Sequence, residues 1–176
     1  MTMHERSGPM RRMVVTAILF TGLAVSTVGA QAPATSPALK PGTAAGTLTV
    51  GKTTVTLAHA YVGGPTSDIY VVELTDKPIP EEALAAELRR GGGQRLLRSG
   101  AVQGILLYVS AEGFVQTAIP FVGEQRGENM LASVGPLTTF TIAAGQATGV
   151  GAIAAAKYNQ DWTFQARFAA AVRPVK

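Results

Sequence analysis

Three side chains in this sequence, His59, Tyr61 and Asp76, are candidates for chemistry. An imidazole can bind a ligand or transfer a proton near neutral pH, and a nearby carboxylate or phenol can orient it. His59 and Tyr61 are two residues apart, which places both on one face of a strand. If Asp76 lies beside them, the three side chains predict a ligand-binding pocket. They do not match a catalytic motif, so no catalytic residue is assigned.

Each candidate also has a structural interpretation. His59 is in phase with the apolar residues Val55 and Leu57, so we expect it on the buried face of a strand as a core residue. The carboxylate of Asp76 precedes Lys77 and Pro78, where it can bond its own downstream backbone and begin the turn into a helix.

The sequence lacks the residues that metal binding and serine-based hydrolysis usually require. The sequence has no cysteine, and His59 is the only histidine after the first dozen residues. Zinc, copper and haem sites need several such ligands, so we expect no metal and no cofactor. No serine lies in a G-x-S-x-G motif. A small hydrolase that uses His59 or carboxylates is left as an alternative; the acids considered for it are Glu73, Asp76, Glu112 and Asp161.

A run of glycines, Gly91–Gly93, could hold an anion through its backbone N–H groups. Phosphate-binding loops precede a helix, whereas these glycines are expected to follow one. The favoured interpretation is a surface loop that ends the helix. The arginines on either side of the run are Arg89, Arg90, Arg95 and Arg98.

The N-terminus has the pattern of an export signal. Three arginines among residues 1–12 precede the uncharged, mostly apolar segment 13–28, and small residues allow cleavage after Ala30 or Ala32. We therefore expect residues 1–32 to be a signal peptide of a secreted or periplasmic bacterial protein, with no membrane span after cleavage. A retained membrane anchor is the alternative, disfavoured by Pro33 and Pro37.

The charge that remains after cleavage argues against one class of partner. Residues 1–32 hold three of the 15 basic residues and one of the 11 acidic residues, so the remainder has a net charge of only +2. A nucleic-acid-binding domain is expected to carry a basic stripe with aromatic side chains. Nucleic acid is therefore not an expected partner, which leaves an unknown protein or small molecule.

Alternating patterns predict the elements of the mature chain. Residues 33–46 are rich in proline, alanine and threonine and predict a flexible tether, while residues 47–176 predict one β-rich domain. Pro80, the acids after it and Gly91 predict one short helix over about residues 80–90. The fold class is all-β, a β-sandwich or small closed barrel of about eight strands. The predicted strands include 47–50, 55–61, 68–76, 102–110, 114–120, 137–143, 147–154 and 161–168.

Two segments of the sequence carry a family resemblance. Residues 46–62 contain G-x-L-T-V, a Gly-Lys turn and L-x-H-A-Y, and residues 68–84 contain V-x-L-T-D-x-P-x-P. Together they resemble a group of uncharacterised secreted bacterial proteins with no assigned activity, and residues 161–172 are similar to the last aromatic strand of that group. The loop 62–67 is shorter and less acidic than the pattern. The resemblance implies export and a β-rich fold, not a reaction.

These observations favour an exported, non-catalytic β-domain that acts through a sheet surface or edge in the bacterial envelope. The small periplasmic hydrolase is the first alternative. An outer-membrane barrel is a less favoured one, because the unbroken apolar run 105–109 does not alternate between apolar and polar residues.

Overall fold

Ten β-strands in one sheet dominate the computed structural model, which describes residues 37–86, 93–126 and 130–174. The predicted all-β class is confirmed. The predicted signal peptide (residues 1–32) and residues 33–36 of the predicted tether lie outside the described residues. The strands are β1 (Thr43–Val50), β2 (Thr53–Thr66), β3 (Ile69–Thr75), β4 (Gly104–Ser110), β5 (Phe114–Val122), β6 (Gln125–Arg126), β7 (Leu131–Pro136), β8 (Thr139–Ala143), β9 (Gln146–Ala154) and β10 (Trp162–Arg173).

The order of the strands in the sheet is β6-β5-β4-β3-β2-β1-β10-β9-β8, and β7 pairs with β5 beside β6. Neighbouring strands are antiparallel, apart from a short parallel pairing of β10 with β2 at Val172 and Arg173. The sheet is not closed by pairing of its end strands within the described ranges, so the closed-barrel alternative is wrong. The final strand β10 lies between β1 and β9, far from its neighbour β1 in sequence.

The sheet curls around its core. Phe140 of β8 packs edge-to-face against Tyr70 of β3, with ring centroids 5.9 Å apart. The Tyr158 hydroxyl donates a hydrogen bond of 2.7 Å to the carbonyl oxygen of Val134 in β7. Strands that are distant in the hydrogen-bonded order thus meet across one apolar cluster, as two packed layers of a sheet do.

The first hairpin forms where the sequence predicts it. Gly51 and Lys52 make the turn between β1 and β2, and the φ of Gly51 is +55°, a conformation that favours glycine. β1 begins at Thr43, four residues before the expected start of the domain, because Thr43 pairs with both His59 and Ala169. The strands β6 and β7 were not among the predicted elements.

Two short helices cover part of the outer face of the sheet. The predicted helix is α1 (Glu81–Ala86), and its expected end at residues 87–91 lies outside the described residues. A second helix, α2 (Gln94–Ser99), was not predicted. Apolar side chains from the segment that contains both helices pack on β4 and β5 and form a second, smaller core. That core consists of Ile79, Leu84, Leu97, Val102, Leu106, Ile119 and Phe121.

A short 3₁₀ helix (Ala155–Tyr158) links β9 to β10. In the part of the chain that the structure covers, none of the helices has the length and apolar character needed to cross a membrane.

Candidate functional site

His59 does not lie in the core, contrary to the sequence-based expectation. Leu57 and Ala60 are both buried, so the alternation of β2 changes phase between them. The cause is an irregularity in the pairing with β1, where Ala44 and Ala45 lie opposite a single residue of β2. The imidazole of His59 is consequently half-buried on the outer face, between its register partners on β1 and β3.

Tyr61 and Asp76 fasten the segment that carries the helices. The hydroxyl oxygen of Tyr61 accepts a hydrogen bond of 2.8 Å from the backbone N–H of Ile79. One carboxylate oxygen of Asp76 accepts a bond of 2.8 Å from the N–H of Gln103, and the N–H of Asp76 donates to the Gln103 carbonyl oxygen at 2.9 Å. Asp76 therefore joins the two ends of the segment instead of bonding its own downstream backbone. The local turn is made by Thr75, whose hydroxyl donates to the carbonyl oxygen of Lys77 at 2.8 Å.

Neither of the two depressions found among the described residues contains all three candidates. Tyr61 borders a shallow one of about 190 Å³ between β2 and β10, and neither His59 nor Asp76 lines it. Within the described ranges no group of three or more metal-ligating side chains comes together. The arrangement gives Tyr61 and Asp76 structural roles and leaves His59 at the border of an exposed face.

The acid Glu73, which the sequence suggested only as one of four acids for a hydrolase, is buried and bonded to the start of the second helix. Glu73 of β3 is 2% exposed, and its two carboxylate oxygens accept hydrogen bonds of 3.1 and 2.9 Å from the N–H of Gly93, just before α2. Gly93, the last residue of the glycine run, therefore binds a side-chain carboxyl group of the same chain. The sequence feature that could have indicated a buried acid is the position of Glu73 as the one charged residue inside the mostly apolar run 69–74.

An ion pair joins the end of β10 to the start of α1. The Arg173 guanidinium donates two hydrogen bonds to the carboxylate of Glu81, of 2.7 and 2.9 Å. The hydrogen bond from Arg173 lowers the pKa of Glu81 from its ordinary value of 4.5, and the same bond raises the pKa of Arg173. The side chain of Glu81 is 74% exposed, so water and salt weaken the pair.

Acid is expected to weaken this pair. Because the pKa of Glu81 is lower in the folded chain, its stabilising effect is complete above about pH 4.5 and is lost as the pH falls through the lowered pKa. The melting temperature of the wild type should exceed that of Glu81→Gln at pH 6, and the gap should narrow at pH 3. Glu82→Gln, a change at the neighbouring exposed acid, should show no such narrowing. An equal gap at both pH values would contradict the assignment of this pair.

The most distinctive surface lies on the outer face of five neighbouring strands, β8, β9, β10, β1 and β2. Its side chains alternate with the core residues and are dominated by threonine, with alanine between them. We call this surface the threonine face. It consists of Thr47, Thr49, Thr54, Thr56, Thr139, Thr141, Thr148 and Thr163 together with Ala45, Ala143, Ala152, Ala154, Gln146, Val150, Gln165 and Arg167.

The register of the strands aligns these threonines in rows. Thr163, Thr49 and Thr54 are neighbours across β10, β1 and β2, and the hydroxyl oxygens of Thr49 and Thr54 are 2.9 Å apart. In the next row Thr47 lies between Gln165 and Thr56. The defined set contains no acid, and Arg167 is its one charged side chain; the exposed Asp161 lies at its border, immediately before β10. The threonine face is thus a nearly uncharged array of hydroxyl and methyl groups.

A depression of about 320 Å³ lies near the centre of the threonine face. The depression is shallow. It forms because Arg167 pairs with Ala45 on β1 and with Val150 on β9, whose side chains are much shorter than that of arginine. The Arg167 guanidinium donates a hydrogen bond of 2.9 Å to the carbonyl oxygen of Pro37, which holds it at this place. The lining residues are Ala45, Gly46, Thr47, Val150, Gln165, Ala166 and Arg167.

No protein-family model matches this chain, and no similar protein was found among curated proteins or among solved structures. The resemblance to uncharacterised secreted proteins therefore stays a prediction.

Proposed function

We propose that this chain is an exported, non-catalytic binding domain of the bacterial envelope, and that the threonine face is its binding surface. Export is supported by the pattern of residues 1–32. The threonine face is the observation that carries the binding role. The hydrolase alternative has less support, because two of its candidate acids, Asp76 and Glu73, hold the helical segment in place through their bonds to Gln103 and Gly93.

The composition of the face is what distinguishes it. Exposed strands of soluble proteins commonly carry charged side chains, which prevent association of one sheet with another. The threonine face presents mainly hydroxyl and methyl groups, with two glutamine amides and one cation, Arg167. Such a surface can be covered by a partner without the large cost of removing charges from water. It is therefore suited to contact with an extended, uncharged partner.

Export is tested first with the full chain, expressed with its leader in a bacterial host. Osmotic shock or the culture medium should release a shortened protein, and its N-terminal residue should be Gln31 or Pro33. Retention of the protein in the cytoplasm with residues 1–32 intact would contradict the proposed localisation.

Binding is tested by sedimentation of the released protein with washed envelope fragments. Thr47→Glu places a carboxylate at the centre of the threonine face, and we expect it to raise the apparent Kd at least about tenfold, because the binding partner would have to remove that charge from water. Gln116→Glu is the matched control, since it changes the charge equally at an exposed position of β5. If both variants sediment as the wild type does, the threonine face is not the binding surface.

A further inference from the structure

We infer that the depression at the centre of the threonine face binds a neutral saccharide, so that the partner of this domain is an uncharged glycan. This inference rests on the proposed function and identifies the class of ligand for the same surface. It is argued from the charge of the face, the groups that are free to bond, the shape of the depression and the rows of threonines around it.

The charged side chains at the depression restrict the charge that its ligand can carry. The residues that line the depression include no carboxylate, so none of them attracts a cationic ligand. Arg167 is the one cation, and one of its N–H groups already donates to Pro37. A polyanion is bound by many basic side chains acting together, which this face lacks. A neutral ligand fits the charge best.

The groups available for bonding are side chains rather than backbone. β10, β1 and β9 are interior strands of the sheet, so their backbone N–H and C=O groups are engaged with neighbouring strands. A peptide cannot add to them as a further strand. What the depression offers instead is the hydroxyl of Thr47, the amide of Gln165 and the remaining N–H donors of Arg167. Hydroxyls and amides both donate and accept, as a ligand rich in hydroxyl groups requires.

The depression also has an apolar part. Val150 is 42% exposed, and Ala45 lies across the strands from it on the other side of Arg167. Saccharide rings present C–H groups on their faces and hydroxyl groups at their edges, so they can contact Val150 and Ala45 while bonding to Gln165 and Thr47. The volume of about 320 Å³ is at the lower end of the sizes of ligand sites, which fits a short stretch of glycan.

The rows of threonine extend the site beyond the depression. Thr56 lies beside Thr47 on one side, and Thr139 lies beside Val150 on the other. A polymer can therefore contact several rows at once, which compensates for weak binding at each position. The defined face contains no aromatic side chain, so binding depends on hydrogen bonds and methyl contacts and should be weak for short oligosaccharides.

The test measures the binding of three tetrasaccharides to the mature protein by calorimetry and by NMR chemical shifts. Cellotetraose and chitotetraose are neutral, and tetragalacturonate is anionic. We expect at least one neutral tetrasaccharide to bind and to shift the side-chain amide signals of Gln165. Gln165→Leu should weaken that binding about tenfold, as the loss of hydrogen bonds in a binding site does. Gln116→Leu is the matched control on β5 and should bind as the wild type does.

Four outcomes would overturn the inference: no binding of either neutral sugar, tighter binding of tetragalacturonate, equal binding by Gln165→Leu, or a dimer that forms through the face at the concentrations used. The result can be separated from the proposed function. If no glycan binds but Thr47→Glu still weakens sedimentation with envelope fragments, the ligand class is wrong and the binding surface is correct. If Thr47→Glu has no effect on sedimentation, the proposed function itself is wrong.

Discussion

Replacing Gly104 by alanine is expected to cost about 3 kcal/mol or more of folding stability, a large fraction of the total stability of a typical domain. Gly104 begins β4 and pairs with Thr75 of β3. A β-carbon at this position would collide with the backbone carbonyl of Leu74. Both strands are interior members of the sheet, so neither backbone can move away without breaking its pairing on the other side. Urea denaturation followed by circular dichroism measures the loss.

Gly63→Ala is the control for this substitution. Gly63 also lies in a strand of the sheet, but nothing is within 4 Å of the place that its β-carbon would occupy. The free energy of unfolding of Gly63→Ala should stay within about 0.5 kcal/mol of the wild-type value. If the two variants unfold at the same urea concentration, the close approach of β3 and β4 at Gly104 does not restrict the sheet in the way described.

Replacing Glu73 by alanine is expected to lower the free energy of unfolding by about 2–4 kcal/mol. The change leaves the N–H of Gly93 without this acceptor in a buried place, and it creates a cavity beside Ile79. The damage should be concentrated in the helical segment, because Glu73 is the buried side chain of the sheet to which the start of α2 is bonded. Hydrogen exchange of the α2 amides should therefore accelerate more than exchange of the amides in β1 and β10.

Glu124→Ala removes an exposed acid and provides the comparison. It should change neither the unfolding free energy by more than about 0.5 kcal/mol nor the exchange of α2. Uniformly faster exchange throughout the sheet in Glu73→Ala would show that the helical segment has no separate stability. That result would contradict a local role for Glu73.

Local patterns in the sequence were sufficient for several elements. The hairpin of β1 and β2 has alternating apolar residues and a glycine in its turn, and the start of β10 alternates in the same way. Both were therefore predicted near their observed positions. The strands β6 and β7 and the helix α2 were missed. β6 has two residues and α2 has six, so neither is long enough to show a period. Closure of a sheet depends on pairing between its ends, which no local pattern reports.

The candidate site was less accessible to sequence analysis for a different reason. The alternation that placed His59 in the core is correct up to Leu57 and then changes phase, because the neighbouring strand β1 has one extra residue at this point. The threonines of β1 and β2 were visible as alternating residues. Their place in one face with Thr148 and Thr163 requires the position of β10 between β1 and β9, which is a contact between distant parts of the sequence.

That position of β10 also has a consequence for the order in which the molecule can form. Thr43 pairs with Ala169 and Val50 pairs with Trp162, so more than 100 residues separate the partners of a central pair of strands. During synthesis β1 can pair with β2 as soon as both have emerged, but the other edge of β1 stays open until β10 has emerged. Pairings this distant fold slowly. The threonine face is therefore assembled last, and a chain shortened before Trp162 would leave β8 and β9 without their link to the rest of the sheet.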